Sequence, residues 1–210
     1  MEHEGRELAQ TAEGPRSCER VALVIGPEQL SSFFPALQRG VVVQAKVGCP
    51  LKELLCAQFG IPEEYVVGRI TTIFLDNHPV DDLDRSLIHE GSRVTLSAAM
   101  PGLVGAMMRR SGFLATLRQG ISHAEQGSEL KHDQGTVRLK LFNLLLSELG
   151  PLILARGIFL PKNELDGLLC ALGPASRIAE AAPELGQSDP GAEVLLRVTI
   201  RDSLRVTIRE

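Results

Sequence analysis

The chain predicts an α+β protein: a mixed sheet with one packed helix, followed by a helical module and a short C-terminal β element. Three observations predict it. Short β-branched runs bounded by Gly, Pro, Asn or Ser recur at residues 21–25 (VALVI), 41–47 (VVVQAKV), 69–75 (RITTIFL) and 93–97 (RVTLS). Between the second and third lies one apolar stripe at helical spacing, Leu51, Leu54, Leu55 and Phe59. Beyond residue 101 the period shifts from two toward 3.6, then returns to strict alternation at the C-terminus.

Composition sets the limits. With 210 residues, 44% apolar and 23% charged, the chain can bury a sizeable core and is not disordered throughout. A net charge of −4, no Trp and one Tyr argue against a general nucleic-acid binder, which needs phosphate neutralisation and stacking platforms. Residues 1–20 alternate charges with no apolar core region, unlike a secretory signal. Residues 144–160, the most apolar interior run, are broken by Glu148, Gly150, Pro151 and Arg156 and cannot span a bilayer. The expectation is a cytoplasmic protein with no membrane or nucleic-acid partner and no cofactor. Cys18, Cys49, Cys56 and Cys170 include no CxxC pair, so reduced thiols are the expected state.

Taken in order, residues 1–19 lack periodicity and read as a mobile tail. VALVI is a strand ended by Gly26 and Pro27. Leu30, Phe33, Phe34 and Leu37 give a short helix that Pro35 interrupts. VVVQAKV is the next strand. Pro50 suits a first helical position, the Leu51 stripe follows, and Gly60 stops it. RITTIFL carries apolar side chains on both parities, as a strand buried on both faces does. Residues 76–79 turn, Gly91 and Ser92 turn again, and RVTLS closes the unit.

Leu103, Val104, Met107 and Met108, then Phe113, Leu114, Leu117 and Ile121, give two helical pieces. Polar residues 123–134 read as a linker between a first domain, residues 20–122, and a second, residues 135–210. In the second, Val137, Leu139 and Leu141 alternate with Arg138 and Lys140 as in a strand, whereas Val137, Leu141, Leu144, Leu145 and Leu149 fit a helix. Length favours a helix to about residue 150, capped by Asp133. Residues 163–173 give another, with Leu165, Leu168, Leu169 and Leu172 on one face; residues 174–192 read as loose. RVTIR at 197–201 recurs at 205–209 with Val198, Ile200, Leu204, Val206 and Ile208 apolar at even positions, either a hairpin with a three-residue loop, one long edge strand or a duplicated tail with no structural purpose.

Residues 47–105 carry a resemblance. Gly48, a helix with Leu54 and Leu55 ending in Phe59, Gly60, Ile61 and Pro62, a turn with Asn77, Pro79 and Val80, and Glu90, Gly91, Ser92 and Val94 before a glycine-bracketed tail resemble the sulfur carriers of the β-grasp superfamily. These are the molybdopterin-synthase small subunit and the thiamine sulfur carrier. The resemblance implies a β-grasp scaffold. Carriers of that family act through a free C-terminal glycine carboxylate; here GLVG, residues 102–105, is followed by 105 further residues, so the resemblance implies the scaffold without the chemistry. Residues 26–40 stand as an insertion between the first two strands.

Two readings of function follow. The first is a non-enzymatic interaction or adaptor module binding a protein partner or its own copy by strand addition or helix docking. The second is an anion-binding or enzyme subunit: Gly102 and Gly105 would let backbone N–H groups approach a phosphate or carboxylate, with Arg109 and Arg110 one turn later as counter-charges. Against it stands a plain strand-to-helix turn with solvated arginines. Asp76, Asp81, Asp82 and Asp84 with His78 lack the glycine and glutamate of a calcium loop and read as solvated turn residues. A thiol or metal site on Cys49 and Cys56 is the weakest reading, since an unperturbed thiol is mostly protonated at neutral pH.

Overall fold

The computed structural model describes residues 18–110, 112, 113, 133–172, 177–181, 189 and 191–201, with the backbone alone for 177–181. The expected N-terminal tail up to residue 17, the helical piece from residue 114, the linker up to residue 132 and the second RVTIR lie outside them.

Among the described residues eleven short strands form between polar breakers. In chain order they are β1 (Glu19–Ile25), β2 (Val41–Val47), β3 (Cys49–Pro50), β4 (Thr72–Leu75), β5 (His78–Pro79), β6 (Leu87–Ile88), β7 (Arg93–Ser97), β8 (Asp133–Phe142), β9 (Ile158–Pro161), β10 (Arg177–Ala181) and β11 (Glu193–Ile200). The helices are α1 (Phe34–Arg39), α2 (Leu51–Glu53), α3 (Glu63–Gly68), α4 (Gly102–Met108), α5 (Leu145–Arg156) and α6 (Lys162–Leu172). A 3₁₀ helix, Pro27–Phe33, leads into α1, which explains how Pro35 is accommodated: it falls in the first turn, where its missing N–H has no partner to lose.

Nine strands make one mixed sheet in the order β10-β1-β11-β9-β2-β8-β7-β4-β5, so the α+β expectation holds. β1 runs parallel to β11, and β7 runs parallel to β8; the other neighbours are antiparallel. The sheet narrows at one place. β2 pairs along its whole length with β8, from Val41 opposite Leu139 to Val47 opposite Asp133, yet meets β9 only where Val42 faces Phe159. That seam separates a half drawn from residues 41–142 from a half drawn from both sides of that stretch. β1 and β2, expected as the first two strands of one pattern, are therefore not neighbours: β11 and β9 stand between them.

Residues 51–58 form the expected helix, with a change of geometry inside it. After α2 the chain continues as a π-helical turn, Leu54–Gln58, closed by Phe59 N–H donating to Leu54 O (2.9 Å). Leu51, Leu54 and Leu55 are fully buried in the same core as Val43, Ala45, Val94 and Leu96, each side chain contributing about 2 kcal/mol of burial. Gly60 ends the turn at φ 74°, a left-handed position suited to glycine.

The expected helix over residues 135–150 is a strand and a helix instead. β8 occupies the gap between β2 and β7, so its peptide groups pair on both sides, and Val137, Leu139 and Leu141 all point into the core. A helix there would leave two sheet edges unpaired, a cost that outweighs any local preference. Asp133 is a strand residue rather than a cap. The chain reverses at Asn143 (φ 57°), whose Nδ2 donates to Ser97 Oγ (3.0 Å), and α5 begins two residues later. The region read as loose contains β10, antiparallel to β1, and β11 is an interior strand rather than an edge.

Two glycines lie at close approaches, one to a side chain and one to backbone. A Cβ on Gly135 would meet Glu90 Oε2 at 2.0 Å, and that carboxylate accepts from Thr136 N–H (2.8 Å) and Thr136 Oγ1 (2.7 Å), tying the β6–β7 loop to the start of β8. A Cβ on Gly105 would meet Met100 O at 1.9 Å, so α4 packs against the peptide that precedes it.

Candidate functional site

A cleft of about 1000 Å³ opens between α3, α4 and residues 81–84. Its apolar wall includes Val66, Val67, Ala106 and Phe113; Val67 is 64% exposed and Phe113 96%. Its charged wall mixes Lys52, Arg109 and Arg110 with Glu63, Asp81, Asp82 and Asp84. Lys52 is already engaged, 2.7 Å from Glu63. Asp82 is as well: Oδ1 accepts from the N–H groups of Asp84 (3.0 Å) and Arg85 (3.1 Å), an Asx turn that stiffens this rim.

Of the residues singled out in the sequence, Arg109 and Arg110 line this cleft, whereas Gly102 and Gly105 do not. Gly102 sits at φ 76°, a conformation glycine adopts at little cost, and Gly105 is fixed by its contact with Met100. Arg110 is held firmly. Its backbone N–H donates to Thr71 O (2.7 Å) and its Nη2 donates to Val66 O (2.7 Å). Its Nη1 is buried with no hydrogen-bond partner among the described residues, and burial pushes the guanidinium pKa down against the opposing pull of Asp81.

Cys49 and Cys56 show the opposite of activation. Cys49 is buried, its Sγ donates to Lys46 O (3.2 Å), and burial, then Glu53, raises its pKa; burial, then Glu63, does the same to Cys56. All four cysteines are free, Cys170 exposed rather than in the core. Among the described residues no group of His, Cys, Asp or Glu side chains is arranged to hold a metal ion.

Sequence reasoning missed two further features. Glu148 on α5 accepts from both Nε (3.0 Å) and Nη2 of Arg69 and from the hydroxyl of Tyr65, clamping α5 to the α3 region. The bond to Arg69, then that to Tyr65, holds the Glu148 carboxyl down at about 2; burial, then the bond to Glu148, pushes Tyr65 up to about 12. The second feature is a cleft of about 630 Å³ at the seam, where Lys46, Arg156 and Arg197 converge with Gln44, Gln134 and Glu53. These residues come from five separate elements, and no local pattern announces their meeting. No helix among the described residues is long and apolar enough to cross a membrane.

No family model, no curated protein and no solved structure matches the chain.

Proposed function

We propose that the protein is a non-catalytic interaction module whose scaffold, β2-β8-β7-β4-β5 packed with the helix of residues 51–58, is a β-grasp-like unit. The place beside the 41–47 strand that the sequence pattern gives to residues 21–25 is filled by β8, which arrives from downstream. The glycine-bracketed segment continues as α4, so the chemistry of a free glycine tail has no place in this reading.

One observation carries the choice of surface: exposed apolar side chains, Val67 and Phe113, stand on a cleft whose rim carries both signs of charge. Such a cleft suits a segment of a protein partner that presents an apolar side chain flanked by charges. Strand addition is the poorer route at the β5 edge, which is two residues long and contains Pro79. Affinity capture with the whole chain, alongside light scattering, tests the reading. Capture or self-association should be lost in Val67→Asp with the melting point unchanged within a degree or so, because an exposed substitution costs little stability. A strict monomer that captures nothing sinks it.

The Arg110 Nη1 atom favours a second reading, in which the same cleft takes a phosphate or carboxylate on Arg109 and Arg110. Its mark would be a ligand-induced rise in melting point that disappears in Arg110→Gln.

A further inference from the structure

We infer that the cleft at the seam of the sheet is an oxyanion site, taking a small phosphate- or carboxylate-bearing ligand on Lys46, Arg156 and Arg197.

The site follows from how the sheet splits. Past Val42 and Phe159, β2 and β9 no longer pair, and the free edge of β2 needs other partners. Gln58, from the π-helical turn, supplies them: its Oε1 accepts from Lys46 N–H (2.7 Å) and its Nε2 donates to Lys46 O (3.0 Å). Arg156, at the end of α5, fills the next position. It donates through Nη1 to Gln58 O (2.5 Å) and lies over the Phe59 ring, 5.2 Å from its centroid. Both contacts fix the guanidinium in place without neutralising it. The pKa of Arg156 falls because burial strips water from the cation.

Arg197 on β11 and Lys46 on β2 complete the cluster. Gly157 (φ 113°) makes room for it, since a Cβ there would stand 3.0 Å from Leu195 Cδ1 and 3.2 Å from Arg197 Cγ. Among the described residues none of the three cations forms an ion pair. Glu53 is the one carboxylate among the described residues of the lining, so three positive charges against one negative give these residues +2 in a chain whose net charge is −4. The first cleft has the reverse balance, three cations against four carboxylates. Arg197 offers a planar fork of donors to oxyanion oxygens, Arg156, whose Nη1 and Nη2 donate to Gln58 O and Gln44 O (3.5 Å), adds a fixed charge, Lys46 adds a point charge, and the amides of Gln44 and Gln134 add neutral donors.

The test is titration of the whole chain with inorganic phosphate and with citrate, followed by calorimetry and by melting point, against sodium chloride at matched ionic strength. A saturable heat and a rising melting point are expected with at least one of the two anions, and which one responds identifies phosphate or carboxylate as the source. Arg197→Gln should weaken binding about tenfold and Lys46→Gln by less, whereas Arg85→Gln, an exposed arginine outside the cleft, should leave it unchanged. Arg156→Lys keeps the charge but loses the fork, and should also weaken binding. The inference is overturned if neither anion saturates beyond the chloride control, or if Arg197→Gln and Lys46→Gln bind as the unaltered chain does.

Discussion

The two halves of the sheet are built on different plans. The half β2-β8-β7-β4-β5 uses only residues 41–142, an unbroken interior stretch, while β10-β1-β11-β9 collects strands from before it and after it. In the first half one junction is local: Asp76 and Asn77, both at positive φ, make the two-residue hairpin that sets Leu75 opposite His78. In the second, Glu19 lies opposite Val194, so pairing depends on distant segments meeting. The first half is thus inserted into the second, and a single facing pair, Val42 and Phe159, joins their backbones. The comparison teaches that a sheet continuous in space need not be one cooperative unit.

The largest test removes a side chain from the centre of the first half. Leu139→Ala deletes a fully buried group and should cost about 3 kcal/mol in denaturant melts. Amide exchange should quicken mainly in β2, β7 and β8; equal loosening of β1 and β11 would show that the seam does not divide the sheet. A smaller effect is expected from Gly105→Ala, which drives a methyl group into the Met100 carbonyl and should cost about 2 kcal/mol. Its exchange signature belongs to α4 and its neighbours alone.

The smallest effect concerns the clamp between α5, which packs on β11 and β8, and the α3 region. Glu148→Gln should cost about 1 kcal/mol or less at neutral pH, because the partners are partly solvated. Its pH dependence is more telling. A carboxyl held down at about 2 contributes stability that is present above the usual carboxylate pKa and is lost as pH falls from there toward 2. Glu148→Gln should flatten that acid branch, and an unchanged branch would remove the clamp from the account of stability.

Legibility in the sequence cuts across that division. β2 and β7 could be read to the residue, because period-two runs ended by Gly or Ser carry their own boundaries. β8 could not. It abuts α5 through Asn143, and the fused stretch offered a helical stripe longer than the strand; only the alternation of Arg138 and Lys140 with buried neighbours signalled otherwise. Arg109 and Arg110 were legible as a pair because they are adjacent. The convergence of Lys46, Arg156 and Arg197 depends on the seam, which tertiary packing alone creates.

The parallel partnership of β1 with β11 has a consequence for biosynthesis. Val21, Leu23 and Ile25 leave the ribosome before the strand that runs beside them, which is complete only when residue 200 has been translated, roughly 10–35 s later at ordinary elongation rates. Until then the nascent chain carries an apolar ribbon whose native neighbour has not yet been made, whereas the 41–142 unit has all its strands once residue 142 has been translated.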